Sequence, residues 1–322
     1  MRRHGWLVIL LALLVAPAAS PATPPALHFT IFAHTDLPLG QVTWTGREFL
    51  YPSENLGRID AANANGSSVR QWAAIDQGGE EMRCSVPPNL YWPDGVYCHT
   101  PDNRVIRFTP DGTSFTELAR VPSSANSDGA LAFDTSGQFG YALLVATGGS
   151  ASSGGDVYAI RKNGRVQTIG SYPGPGGADE IAVAPAKFGS ASGWLLLSID
   201  QDHVEGRVLA IDRKGDLKTI ATGLGNGLNP IATVSLPGRG GRPAGSPASG
   251  FYIADTLSQD VIFAPAPTGP DALSSSTVLV GTELTGQFWL IGPKTGGGFE
   301  VSPVTTDLPA HDWNLEGAVY VP

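Results

Sequence analysis

Four side chains that carry oxygen ligands lie directly before short apolar runs along the chain. They are Asp128, Asp179, Asn229 and Glu316. If these runs are equivalent strands of a repeat, the four side chains converge on one axis. Converging carboxylates repel one another unless a cation or a proton intervenes, and oxygen-only ligands suit Ca²⁺ or another hard divalent ion. The alternative is turn formation, because Asp-Gly and Asn-Pro are common turn dipeptides.

A repeated unit favours convergence of these side chains. It consists of a short alternating strand, a turn, a β-rich strand that ends in a small or acidic residue, and a strand that begins Arg-Val and continues with alternating hydrophobic residues. Two copies place this last strand at Arg104–Phe108 and Arg207–Ile211. The first strands of the units are predicted to begin, at spacings of roughly 40 to 51 residues, near Gln41, Asn89, Asp128, Asp179 and Asn229.

Four short strands per repeat of this length are typical of a β-propeller blade. The segment 284–322 supplies one more blade, so the sequence predicts an all-β protein with a single six-bladed propeller. Seven blades are the main alternative, and a two-sheet sandwich is a further one. Leu27–His34 has the pattern of an outer strand, and we expect it to pair with the C-terminal strands and close the ring. Because 41 of the 322 residues are glycine and 26 are proline, a helical bundle is excluded.

The composition also restricts the class of partner. Hydrophobic residues make up 42% of the chain and charged residues 15%, which favours a folded domain over a disordered one. The net charge is −9, and an acidic chain binds polyanions poorly. We therefore predict no nucleic-acid partner.

The N-terminus has the pattern of a secretory signal peptide. A basic start at residues 2–4 precedes an apolar run at 6–15 and small residues at Ala16 and Ala18. The run is shorter than the about 20 residues that cross a bilayer, and a buried N-terminal helix is the alternative. We predict a signal peptide at 1–22, a propeller domain at 23–322, and a secreted or extracytoplasmic protein, periplasmic or extracellular, that has no membrane contact after cleavage.

The chain contains two cysteines, Cys84 and Cys98, with turn-rich sequence between them. In an exported protein such a pair is expected to form a disulfide across adjacent strands. A zinc site is the weaker alternative, because no second pair of metal ligands has a suitable spacing.

The repeat pattern over most of residues 40–322 resembles the regucalcin, gluconolactonase and strictosidine-synthase-like propellers, which are related in form to NHL repeats. In that family, polar residues at the starts of the first strands bind a divalent cation that polarises a lactone carbonyl and activates water. The resemblance places Asp128, Asp179 and Asn229 at ligand positions of the later blades. Glu316, within Leu-Glu-Gly-Ala-Val-Tyr, resembles the glutamate segment of the family but lies at the C-terminal end. The expected N-terminal position, at residues 39–44, has no carboxylate.

Two classes of function follow from these residues. The first is a metal-assisted hydrolase of a lactone or ester, in which Ca²⁺ acts as Lewis acid and Asp128 or Asp179 serves as general base. The second is a non-catalytic extracytoplasmic propeller that binds a sugar, a peptide, another small molecule or a protein, because fold alone does not decide function. The sequence leaves open whether the protein is an enzyme. It contains neither a Gly-x-Ser-x-Gly nucleophile motif nor a phosphate-binding loop.

Overall fold

A computed structural model describes residues 25–76, 81–88, 91–122, 129–149, 152–200, 205–235, 245–269, 272–309 and 312–322. The predicted signal peptide at 1–22 and the candidate ligand Asp128 lie outside these ranges. Within them the chain forms six β-sheets arranged in a ring, which confirms the six-bladed propeller. Two short strands come first, β1 (Ala26–Leu27) and β2 (Thr30–His34). No helix in the described ranges is long and apolar enough to cross a membrane.

Each of the first four sheets uses four consecutive strands, paired antiparallel. Sheet one contains β3 (Thr43–Trp44), β4 (Phe49–Pro52), β5 (Arg58–Ala62) and β6 (Arg70–Ala74). Sheet two contains β7 (Arg83–Ser85), β8 (Val96–His99), β9 (Arg104–Phe108) and β10 (Phe115–Arg120). Sheet three contains β11 (Gly129–Phe133), β12 (Leu143–Thr147), β13 (Asp156–Ile160) and β14 (Val166–Ser171). Sheet four contains β15 (Gly177–Val183), β16 (Leu195–Asp200), β17 (Glu205–Ile211) and β18 (Leu217–Asn226).

The last two sheets are not built from consecutive strands, because the chain alternates between them; we call this alternation the strand exchange. The remaining strands are β19 (Leu228–Thr233), β20 (Gly250–Asp255), β21 (Asp260–Pro265), β22 (Val278–Thr282), β23 (Phe288–Pro293), β24 (Phe299–Thr306) and β25 (Leu315–Val321). Sheet five has the order β19-β22-β23-β24-β1, and sheet six has the order β25-β20-β21-β2. The chain therefore passes from sheet five to sheet six, back to sheet five, and again to sheet six.

Three sequence predictions are compared with this topology. Both termini contribute strands to sheet six, so closure of the ring by N- and C-terminal strands is confirmed. However, β2 pairs with β21 and β1 pairs with β24, whereas β25 pairs with β20. The strand β20 follows β19 in the chain but lies in sheet six, so the unit predicted to begin near Asn229 does not continue with the next strand in sequence. The inner strand of sheet two is Arg83–Ser85 and does not begin near Asn89. Cys84 pairs with Cys98 on the neighbouring strand, so the strand lies before the proline-rich turn and not after it.

Burial in each sheet changes from the channel outward. The second strands are almost entirely buried, and Leu143–Thr147 and Val278–Thr282 are buried at every position, as expected for strands covered on both faces by neighbouring sheets. The outer strands alternate and are half exposed, as Phe299–Thr306 shows. The apolar core consists of clusters between adjacent sheets, so packing of sheet against sheet holds the inner strands around the channel.

The predicted disulfide between Cys84 and Cys98 is confirmed. The two residues lie opposite each other on β7 and β8. The bond joins the inner strand of sheet two to the strand behind it. It therefore fixes the segment that enters the channel at Glu81 and Arg83.

We expect the double variant Cys84→Ala/Cys98→Ala to lose about 3 kcal/mol of free energy of unfolding, because the bond closes a loop of 14 residues. Urea denaturation of the variant and the wild-type protein measures this difference. Intact mass after alkylation provides the control, since two thiols should appear in the wild-type protein only after reduction. Equal unfolding free energies would show that the bond adds nothing to stability.

Candidate functional site

The end of the channel where the inner strands begin brings together three of the four predicted ligands. Asp179 lies on β15, Asn229 on β19 and Glu316 on β25. The Asn229 amide donates to Asp179 Oδ2 at 2.6 Å and to Glu316 Oε2 at 2.5 Å. Asp128 lies outside the described residues, although its neighbour Gly129 begins the inner strand of sheet three. Convergence of the side chains on the channel axis is therefore correct for the three described residues.

Two further residues, Glu81 and Arg83, join this group, and sequence reasoning missed both. Arg83 is fully buried, and its Nη2 lies 3.0 Å from Glu316 Oε2 and 3.5 Å from Asp179 Oδ2. The same nitrogen contacts the carboxylate of Glu81. Arg83 Nε lies 3.9 Å from Glu180 Oε1. One guanidinium is thus surrounded by four carboxyl groups, which offsets the cost of burying its charge.

A cavity of about 250 Å³ opens on this group. We call it the acidic well, and its walls consist of Glu54, Asn55, Glu81, Asp179, Asp200, Glu283, Asn314 and Glu316. Six of the eight residues are carboxylic acids. With its amide oriented to satisfy both groups, Asn314 donates to Glu316 Oε1 at 3.2 Å and to Glu283. The well therefore combines a strong negative potential with enough space for an ion and a small molecule.

The donor set of the well fits a metal ion. Glu81, Asp179 and Glu316 each offer a carboxylate oxygen, and these three oxygens lie within 4.8 Å of one another. Oxygen donors at this spacing suit hard cations, which take six or more oxygen ligands. Arg83 contacts one oxygen of each of these carboxylates, and each has a second oxygen. The three carboxylates can therefore hold a metal ion through their second oxygens while Arg83 fixes their orientation.

Burial has opposite consequences for the acids and the base in this group. It raises the pKa of the Glu316 carboxyl to about 8 and that of Glu180 to about 7, although the charge of Arg83 lowers both. Glu316 consequently keeps its proton at neutral pH. Burial would lower the pKa of Arg83, but the surrounding carboxylates raise it well above its usual value. Arg83 is therefore a permanent cation.

The raised pKa of Glu316 predicts a pH dependence of stability. In the window from its ordinary value of 4.5 to about 8, the folded state holds a proton that the unfolded state has released. The free energy of unfolding contributed by Glu316 should therefore fall as the pH rises through this window. Between about pH 5 and pH 8, wild-type protein with chelator should lose on the order of a few kcal/mol relative to Glu316→Gln.

Urea denaturation at both pH values measures this difference, with Glu300→Gln on the exposed part of β24 as matched control. The Glu300 variant should follow the wild-type curve. A Glu316→Gln curve parallel to the wild-type curve would show that Glu316 titrates normally.

Below the acidic well, the channel continues as a lumen of about 360 Å³ lined by the inner strands of all six sheets. At its inner end, Gln41 Nε2 donates to Glu180 Oε1 at 3.0 Å, and Gln41 Oε1 accepts from the Cys84 N–H at 2.6 Å. Gln41 lies in the segment where the resemblance requires a carboxylate. An amide therefore fills this position, and it binds one of the buried acids.

His99 is buried at the end of β8, where it packs against Gly129. Burial lowers the pKa of its imidazole to about 4. The ring is therefore neutral at physiological pH. It belongs to the packing between sheets two and three.

No protein-family model matches the sequence, and no curated protein sequence matches it. Similar solved structures include a chain of the Nidogen/Laminin complex, with a TM-score of 0.51 and 10% identity over 87% of this chain and 84% of that chain. Saccharomyces cerevisiae Sqt1 gives 0.46 and 12% over 90% and 68%. A putative 6-phosphogluconolactonase from Bacteroides uniformis gives 0.44 and 14% over 84% and 72%. At these identities the likeness concerns the fold alone. The six sheets arranged in a ring show that the chain is a β-propeller.

Proposed function

We propose that this protein is an extracytoplasmic β-propeller that binds a divalent cation in the acidic well, with Ca²⁺ as the preferred ion. The observation that carries the proposal is the convergence of the Glu81, Asp179 and Glu316 carboxylates within 4.8 Å. The extracytoplasmic location is supported by the signal-peptide pattern at 1–22 and by the disulfide. The preference for Ca²⁺ is supported by the all-oxygen donor set in a well wide enough for a large ion.

The residues of the well would divide the work of binding. Glu81, Asp179 and Glu316 would hold the ion. Asn229 and Arg83 would fix the orientation of Asp179 and Glu316 through the contacts that they already make. Ligands that are already oriented lose less conformational entropy when the ion binds, which lowers the free-energy cost of binding.

Hydrolysis of a small lactone or ester in the same well is a second candidate, with a carbohydrate or a related small molecule as substrate. The observation that favours it is the buried carboxyl of Glu316 beside Asp179 in one cavity. Whenever Glu316 does not ligate the ion, it would hold a proton that it can donate to a leaving oxygen, and Asp179 would contact the attacking water. A bound divalent ion would supply Lewis acidity.

Millimolar Ca²⁺ added to chelated protein should raise the melting temperature by several degrees. An ion at a hundredfold excess over its Kd stabilises the folded state by about 2.7 kcal/mol. Asp179→Asn should abolish the shift, because it removes one anionic ligand and leaves the size of the side chain unchanged. Differential scanning calorimetry measures the shift, and Glu300→Gln should respond like the wild-type protein. Unchanged melting curves with Ca²⁺, Mg²⁺, Mn²⁺ and Zn²⁺ would overturn the proposal.

Lactone hydrolysis with and without chelator separates the two candidates. Turnover that disappears both with chelator and in Asp179→Asn would support the hydrolase. A Ca²⁺-dependent melting shift without turnover of lactones or esters would leave the protein as a binding propeller.

A further inference from the structure

Three leucines are exposed at the mouth of the acidic well. Leu56 lies between β4 and β5, Leu257 between β20 and β21, and Leu284 between β22 and β23. Their exposures are 53%, 61% and 47%. One exposed leucine is ordinary in a folded protein, whereas three on neighbouring loops at one end of the channel can form a patch. All three loops join the second and third strands counted from the channel, in sheets one, six and five. We call these three residues the leucine rim.

A continuous series of hydrogen bonds connects the three loops. Leu315 N donates to Glu283 O, and Thr256 N donates to Asn314 O. The Thr256 hydroxyl donates to Leu39 O, and Glu54 N donates to Pro38 O. The loops are therefore tied side by side through segments 37–40 and 314–315. The leucine rim is thus one arc on the mouth of the well, built by three successive sheets.

The described part of the mouth in sheets two and three has a different composition. The segments there that join the second and third strands, at 100–103, 148–149 and 152–155, contain no leucine, isoleucine, valine or aromatic residue. The charge around the rim is acidic, since Glu54 and Glu283 belong to the wall of the well. The basic groups described near the rim, Arg58 and His34, are paired with Asp60 and Asp260.

We propose that the leucine rim and the acidic well together form a docking surface for a segment of another protein that presents a lysine or arginine between aliphatic residues. The aliphatic side chains would pack against Leu56, Leu257 and Leu284, and the basic side chain would enter the well. Charge complementarity argues for this occupant, because six carboxylic acids line the well and its one described basic neighbour, Arg83, is already surrounded by carboxyl groups. An anionic membrane surface is disfavoured by the same charge, and a second copy would bring one acidic well against another.

Fluorescence anisotropy with labelled peptides tests the proposal in buffer with chelator, so that no metal ion is required. The probe is Gly-Ser-Leu-Lys-Leu-Gly-Ser, and the matched peptides replace Lys by Gln or both Leu by Ser. We expect saturable binding of the probe by the full chain and at least about a tenfold loss of affinity for each matched peptide. Leu257→Ser and Leu284→Ser should each weaken probe binding by a similar factor. Leu217→Ser, at an exposed leucine on β18, should bind like the wild-type protein.

Melting curves of the leucine variants show whether they remain folded, and their Ca²⁺ response should be unchanged. No saturable binding of the probe up to about 1 mM, or equal binding by Leu217→Ser and Leu257→Ser, overturns the proposal. Co-sedimentation with phosphatidylserine vesicles, or a dimer in analytical ultracentrifugation, would overturn it in favour of a membrane or a second copy if Leu257→Ser abolishes either one. Because the assay contains chelator, absence of the Ca²⁺ melting shift would contradict the proposed function and leave this inference intact.

Discussion

Arg83→Met should lower the free energy of unfolding by about 3–5 kcal/mol, which is the effect expected when one partner of a buried ion pair is removed. The guanidinium is fully buried and lies within 4 Å of carboxylate oxygens from Glu81, Asp179, Glu180 and Glu316. Methionine keeps an unbranched apolar stem but lacks the guanidinium group, so part of the loss is packing volume. The main cost is the repulsion among carboxylates that no longer share a cation.

The pH dependence of this variant identifies the cause. Without the guanidinium, the buried carboxylates can avoid repulsion only by taking up protons, so their pKa values rise further in the folded state. The difference between Arg83→Met and wild-type protein should therefore shrink as the pH falls from about 8 to about 5. Urea denaturation with chelator at both pH values measures it.

Arg120→Met is the matched control, because Arg120 is half exposed and pairs with Asp102 and Glu117 at the surface. It should change stability by less than about 1 kcal/mol. If both variants lose the same free energy at pH 8, the carboxylates around Arg83 do not depend on its charge.

Removal of residues 314–322 should abolish cooperative unfolding, which is the largest effect that we expect. The deletion removes β25, which pairs with β20 from Gly250 to Asp255 and supplies Glu316 to the well. Leu315, Tyr320 and Val321 are buried, and burial of each side chain contributes about 1.5–3 kcal/mol to the free energy of unfolding. Their sum approaches the 5–15 kcal/mol that stabilises a typical domain, and the edge of β20 would become exposed.

Circular dichroism during thermal unfolding and the yield of soluble protein measure the effect of this truncation. A chain that lacks only Pro322 is the matched control, and it should melt like the full chain. A truncated chain that melts within about 2 °C of the full chain, a change of less than about 1 kcal/mol, would show that β25 does not close the ring.

The sequence predicts the meeting of Asp179, Asn229 and Glu316 because each precedes or begins the inner strand of its sheet. A repeat with a fixed strand order places equivalent positions at the same end of the channel, whatever the details of packing. Glu81 and Arg83 occupy the corresponding position in sheet two. They were missed because the inner strand was expected near Asn89. The signal that could have found them is the run Arg83–Val86, which follows two glutamates as a short candidate strand.

The strand exchange between sheets five and six could not be predicted. The segments 251–263 and 288–304 have the same local pattern of two strands and a turn. The inner strand that each segment joins lies far away in sequence. Strand β20 of the first segment pairs with β25, whereas the second segment is joined to β19 through β22. Local pattern decides that a strand forms, whereas non-local packing decides which neighbour it joins.

The exchange has a consequence for folding while the chain is being synthesised. Sheets one to four have all their strands once residue 226 has left the ribosome. By contrast, β2 cannot pair until β21 has emerged, β19 cannot pair until β22 has emerged, and sheet six receives its inner strand only when β25 emerges. We therefore expect a four-sheet intermediate with open edges until β25 has emerged, and such edges favour association with other chains. We expect the nascent chain to be most prone to aggregation while its last two sheets remain incomplete.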